Sequence, residues 1–205
     1  MNKMSTEMKK TCIIIDGHIG VGKSTLINSL KDEFVNFKVK LEPVEKWTLM
    51  KEMYETKDFS VENYFNVSKQ VFQTLIDRDL NCNVEDVIIE RSFLSSKVFI
   101  DAFTEYCECK NHSGFSNLKV ENQEKYQQLK QIYNVIIIWL YTTVDKSKQR
   151  MLERDGHCVP YIANLDKAYK KIFSMQDNIF KVDVIDKSKH EVLNLVKDII
   201  KIKTL

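Results

Sequence analysis

The sequence predicts an α/β fold: a five-stranded parallel sheet with helices on both faces. Two observations carry this reading. Five short apolar segments alternate with longer stretches of helical periodicity, the pattern of a parallel sheet covered by crossover helices. The first of those segments runs directly into a glycine-rich loop that opens an amphipathic helix, the context in which a phosphate-binding loop works.

Residues 1–10 are polar and are expected to form a flexible N-terminal segment; they lack the apolar core of a secretory signal. Thr11–Asp16 reads as the first, buried strand. Gly17-His18-Ile19-Gly20-Val21-Gly22-Lys23-Ser24 follows and fits G-x-x-x-x-G-K-[ST]. In such a loop backbone N–H groups turn inward around phosphate oxygens, and the helix N-terminus adds partial positive charge. Lys23 is expected to reach the outer phosphates and Ser24 to hold Mg²⁺. Leu26, Ile27, Leu30 and Phe34 then recur at helical spacing.

The remaining strands are expected at Phe37–Glu42, Asp86–Glu90, Asn134–Thr142 and Lys181–Ile185. Ligands of such sheets lie at the carboxyl ends of the strands. The second strand ends in Glu42-Pro43-Val44-Glu45-Lys46-Trp47, which offers Glu42 as a general base and Trp47 as a flank for an organic substrate. The plainer alternative is a solvated glutamate before a turn, with Trp47 in the core. The third strand ends in Glu90-Arg91-Ser92: Glu90 to orient Mg²⁺ and Arg91 to bind a hydroxyl and phosphate charge, or simply an ion pair at the sheet edge. After the fourth strand, Arg150 and Arg154 share one helix face and read as a lid over phosphates, residues 150–158, rather than as a solvated basic face. At the C-terminus, Ser188 and Glu191 form a capping box before the stripe Val192, Leu195, Val196, Ile199 and Ile200.

Composition narrows the function. The 205 residues suit one domain with a full core. A net charge of +2 gives no strong field for nucleic acid or membrane surfaces. The longest apolar run, Val135 to Tyr141, is too short to span a bilayer. Five cysteines, an odd and scattered set, argue for reduced thiols and a cytoplasmic compartment. Cys107-Glu108-Cys109 with His112 lacks a second ligand pair at zinc spacing.

Together these residues resemble the deoxyribonucleoside kinase family. The resemblance rests on Asp16–Thr25, Glu42-Pro43-Val44-x-x-Trp47, Glu90-Arg91-Ser92, the Arg150/Arg154 lid and Cys158-Val159-Pro160, in the family's order. It implies a P-loop kinase fold and transfer of the ATP γ-phosphate to the 5′-hydroxyl of a deoxynucleoside in nucleotide salvage, by a homodimer. It implies Gly17 to Thr25 as the ATP-binding loop and Glu42 as the base that accepts the 5′-hydroxyl proton. Arg91 holds that hydroxyl, Ser24 and Glu90 serve Mg²⁺, and Trp47 packs beside the base. Tyr54 bonds the sugar 3′-hydroxyl, with Asp155 standing in for a family glutamate. Lys23, Arg91, Arg150 and Arg154 supply positive charge for the transfer.

The chain departs from the family in three places. The base-reading glutamine of the third helix is missing, and Asn66, then Asn63, best fits its spacing to Glu90. The lid is shorter and loses an arginine. Ser96 replaces an aspartate found in members that favour deoxycytidine and purines, which points to thymidine or broad pyrimidine use.

There are two alternatives, a close rival with the same fold and a second from another class. A thymidylate-type monophosphate kinase would need cation where Glu42 sits, and that carboxylate would repel a 5′-phosphate. A regulatory or non-catalytic nucleotide-binding module lacks support: there is no Asn-Lys-x-Asp guanine-reading motif, and the catalytic set is complete.

Overall fold

The computed structural model describes residues 9–80, 85–156 and 158–204. Most of the polar N-terminal segment, Cys82 and His157 lie outside the described residues. All five expected strands form: β1 (Lys10–Gly17), β2 (Lys38–Lys40), β3 (Val87–Glu90), β4 (Tyr133–Tyr141) and β5 (Ile179–Asp183). They make one parallel sheet in the order β2-β3-β1-β4-β5. The central β1 pairs with β3 on one side and β4 on the other, Ile13 opposite both Ile88 and Ile136.

Two strands end differently from expectation. β2 stops at Lys40, two residues before Glu42, because the Leu41 carbonyl accepts from the Arg78 guanidinium at 2.9 Å instead of continuing the ladder. β5 begins at Ile179 and stops at Asp183, whose carboxylate accepts from the Ile185 N–H at 2.8 Å and turns the chain.

Strand alternation sorts the sheet residues onto two faces. Cys12, Ile14, Val87, Ile89, Val135 and Ile137 face a larger layer. It is built from α2 (Thr48–Thr56), α3 (Val61–Leu80), α4 (Phe93–Tyr106), α5 (Ser113–Ile132) and α7 (Ile162–Phe173). Ile13, Ile15, Ile88, Ile136 and Ile138 face α1 (Lys23–Glu33) and α8 (Lys189–Thr204). Thus the helix that follows the glycine-rich loop and the C-terminal helix share one layer, and α2, α3, α4, α5 and α7 make up the other.

Helix ends follow local chemistry. The expected capping box closes α8: the Ser188 N–H donates to Glu191 at 2.8 Å, and the Glu191 N–H donates to Ser188 Oγ at 3.2 Å. Val192, Val196 and Ile200 of the expected stripe are buried, whereas Leu195 is exposed. α6 (Val144–Asp155) is capped by Thr143 and ends at Gly156 in left-handed conformation (φ 71°), so Arg150 and Arg154 occupy its last turns. Among the described residues no helix is long and apolar enough to cross a membrane.

The α8 layer yields a stability prediction. Ile200 is fully buried and Ile202, two positions on, is exposed. Ile200→Ala is expected to lower unfolding free energy by about 2–5 kcal/mol. Ile202→Ala should stay within about 0.5 kcal/mol. Denaturant titration of both variants distinguishes the two positions.

Candidate active site

The carboxyl ends of β1, β3 and β2 open onto one cavity of about 1070 Å³. Its floor is the phosphate loop. Gly17 is required there by contact: at φ 145°, an added Cβ would sit 2.3 Å from the Leu140 carbonyl oxygen. Gly22 takes the left-handed φ of 99° that turns the loop into α1. The Lys23 ammonium lies inside, donating to the carbonyls of His18 (2.9 Å) and Gly17 (3.2 Å). Burial and the nearby Arg91 charge push its pKa from 10.5 down to about 7, despite three carboxylates acting the other way.

Ser24 Oγ donates to Glu90 Oε1 at 2.6 Å, and the other Glu90 oxygen accepts from the Glu42 N–H at 3.4 Å. A hydroxyl and a buried carboxylate side by side at the loop form a hard oxygen donor set, which fits Mg²⁺. Among the described residues no group of three or more His, Cys, Asp or Glu side chains is placed to hold a metal ion.

Glu42 and Arg91 meet across the strand ends. One Arg91 terminal nitrogen reaches both Glu42 oxygens, at 2.7 and 2.9 Å. Burial raises the Glu42 pKa, but the charges of Arg91, Lys23 and Arg78 together more than offset it and hold the carboxyl below its ordinary value. Arg91 itself has a left-handed backbone (φ 46°), fixed by its N–H to the Ile15 carbonyl at 3.0 Å. Its guanidinium lies over the Phe99 ring, 5.2 Å from the centroid, and 3.9 Å from Asp16.

Asp16 ties the loop to the helices behind it. It accepts from the Gly17 N–H (2.7 Å), from Ser95 and from the Tyr169 hydroxyl (3.0 Å). Complete burial raises its pKa, with Arg91 opposing. His18 turns away from the cavity and packs against Tyr169 and Tyr141. Its ring lies 3.5 Å from Asp166, close enough for an ion pair, yet burial pulls its pKa down to about 4 against the Asp166 charge. Burial dominates, so the ring is neutral near pH 7 and contributes packing rather than charge. What His18 turns toward Lys23 is its backbone carbonyl.

α3 and α4 supply the inner wall. Tyr64, Val67, Ser68 and Val71 face the cavity from α3, Ser96 and Phe99 from α4. The Ser96 hydroxyl is buried and has no protein hydrogen-bond partner. Trp47 is buried, its indole N–H anchored to Thr74 at 2.8 Å, and it also lines the cavity. Tyr54 lines the opposite wall beside Asp155, whose charge adds to burial in raising the tyrosine pKa. Asp155 pairs with Arg154, and Arg150 lies over the loop, donating to the Gly20 carbonyl at 3.4 Å. Ile19, Gly20, Gly22 and Thr25 also border the cavity, whereas Val21 anchors the loop in the α1 layer.

A deoxynucleoside kinase family model spans residues 13–204. The chain belongs to the deoxynucleoside kinase family. A probable deoxycytidine kinase of Fowlpox virus (strain NVSL) is 33% identical over 187 residues, 85% of this chain and 77% of that protein. A putative kinase of Invertebrate iridescent virus 6 is 38% identical over 89 residues, 42% of this chain and 43% of its own. A deoxyadenosine kinase from M. mycoides, solved with the products dCMP and a flexible dCDP, superposes with a TM-score of 0.67 at 20% identity. The match covers 93% of this chain and 98% of that one. That structure shares the fold. As a deoxynucleoside kinase, the protein is a phosphotransferase that acts on a nucleoside hydroxyl.

One expectation needs correction. Asn66 and Asn63 do not face the cavity. Asn66 is exposed, 3.5 Å from Glu62, and Asn63 is held by Asp58 at 2.6 Å; both border a separate groove between α2 and α3. The helical period turns Ser68, not Asn66, inward. Arg78, Ser95 and Tyr169 belong to none of the motifs in the sequence, and Asp16 enters there only as the residue before the loop. Arg78 carried a signal: a charged residue three positions after the buried Leu75, in register with the apolar face of α3.

The depressed Lys23 pKa sets a proton balance. In the free protein Lys23 loses its proton from about pH 7, below its ordinary 10.5. The unfolded chain then binds more protons, so this group makes stability rise with pH across that window. Phosphate charge restores the proton, so ATP binding should take one up between those pH values. Calorimetry in buffers of different ionisation enthalpy measures this, and Lys23→Met should abolish it.

Proposed function

We propose that this kinase moves the γ-phosphate of ATP to the 5′-hydroxyl of a pyrimidine deoxynucleoside, with Mg²⁺ held by Ser24 and Glu90. The observation that carries this is the Glu42–Arg91 pair, 2.7 Å apart, facing Lys23 and Ser24 across one cavity. A carboxylate kept ionised beside the phosphate loop can accept a hydroxyl proton. Phosphoryl transfer asks a protein mainly for positioning and charge stabilisation. Arg91 orients the hydroxyl and Lys23 neutralises phosphate charge. Arg150 and Arg154 do the same from the lid. Mg²⁺ held by Ser24 and Glu90 would neutralise developing phosphate charge. Trp47 and Phe99 offer apolar walls for the base, and Tyr54 with Asp155 offers hydrogen bonds for the 3′-hydroxyl.

The pyrimidine reading rests on Ser96. Its free hydroxyl can donate to a thymine carbonyl or accept from a cytosine amine, whereas an aspartate only accepts. The Fowlpox virus relative, named a probable deoxycytidine kinase, agrees with pyrimidine use. Family resemblance alone supports a cytoplasmic homodimer working in nucleotide salvage.

Two outcomes test this reading. Glu42→Gln should lower kcat on the order of 10²-fold while ATP still binds; near-normal turnover would remove Glu42 as the base. A kcat/KM panel over four deoxynucleosides should favour both pyrimidines, and Ser96→Asp should cost thymidine on the order of 10-fold more than deoxycytidine. A clear purine preference overturns the substrate assignment.

A further inference from the structure

Glu42 and Arg91 stand beyond the ends of two different strands, and the hydrogen-bond ladder does not reach them. β2 and β3 pair only as far as Lys40 opposite Ile89. Arg78, from the last turns of α3, spans that gap. One terminal nitrogen donates to the carbonyls of Leu41 and Glu90, each at 2.9 Å. The other donates to the carbonyl of Arg91. Its Nε bonds the buried Asp79 carboxylate at 2.6 Å, which also accepts from the Phe93 N–H that opens α4. The Arg78 side chain is only 12% exposed. One planar, five-donor group thus fastens the residue before Glu42, the backbone of Glu90 and the backbone of Arg91 into one unit. Only arginine has that fork.

We propose that Arg78 is a positioning residue for phosphoryl transfer: its guanidinium sets the separation and orientation of Glu42 and Arg91 without touching either substrate. A misplacement of a reacting group by about 1 Å can cost on the order of 10²-fold in rate, and no other described side chain bonds the carbonyls of both strand ends. The inference rests on Glu42 as the base. The charged groups facing Glu42 are Arg91, Lys23, Arg78, Glu90 and, from the lid, Arg154.

Two variants of the full chain test it. Arg78→Met keeps much of the stem and removes both charge and fork; Arg78→Lys keeps the charge and removes the fork. The proposal expects kcat per folded enzyme to fall at least about 10-fold in both, with the KM for ATP little changed. Unchanged kcat in a folded variant overturns the proposal. So does a loss accounted for by the unfolded fraction alone, or failure of both variants to fold, which would make Arg78 a stability residue. Glu42→Gln measured alongside separates the two ideas: near-normal turnover there defeats the base assignment, whereas an inactive Glu42→Gln with an active Arg78→Met defeats only the positioning role.

Discussion

The site is organised around one buried positive charge. Arg91 sits where β1 and β3 end, 10% exposed, with Glu42 at 2.7 Å and Asp16 at 3.9 Å. Removing a guanidinium from water costs several kcal/mol unless opposing charge and hydrogen bonds replace the solvent. That requirement fixes its neighbours: the loop after β2 must return to deliver Glu42, and the end of β1 must present a carboxylate. The same need explains why the backbone at Arg91 holds a left-handed conformation that non-glycine residues seldom adopt. The side chain is aimed by its charge partners, and the main chain is held by Ile15 and Arg78.

Sheet order places this charge over the phosphate loop. Because β1 lies between β3 and β4, its loop emerges at the centre of the sheet, where crossovers run to opposite sides. The β3 end is then its neighbour, and Glu90 comes within 2.6 Å of Ser24 although 66 residues separate them. The helices divide the labour. α1 and α8 cover one face and fix the loop's exit. α3, α4 and α7 cover the other and hold the cavity, with α7 reaching the loop through the Tyr169 hydroxyl bonds to Asp16 and Gly17.

α3 shows how one helix serves two purposes. Its middle turns give the cavity an inner wall of Tyr64, Val67, Ser68 and Val71, short on polar reach. Its last turns place Arg78 under the strand ends. The polar groups that α3 and α4 offer to this wall include two small hydroxyls, Ser68 and Ser96. The strand-end side of the cavity is tightly bonded, whereas the Ser96 hydroxyl on the inner wall has no protein partner.

The sequence by itself determined the strand–helix alternation, the phosphate-loop motif and which charged residues stand near the strand ends, because these are local. A strand needs a run of apolar residues, a phosphate loop needs its glycines in order, and Glu90 and Arg91 stand where the third apolar run stops, with Glu42 two residues past the end of β2. Tertiary structure decided what depends on rotation and reach. Spacing to Glu90 suggested Asn66, but residues 81–86 lie between α3 and β3, so counting along the chain does not set the helix's rotation. Packing of Tyr64, Val67 and Phe72 sets it instead, and turns Ser68 inward. Likewise nothing in the string Ile76-Asp77-Arg78-Asp79 names the three carbonyls that Arg78 holds. They come from residues 37, 12 and 13 positions away, brought together only when the sheet forms.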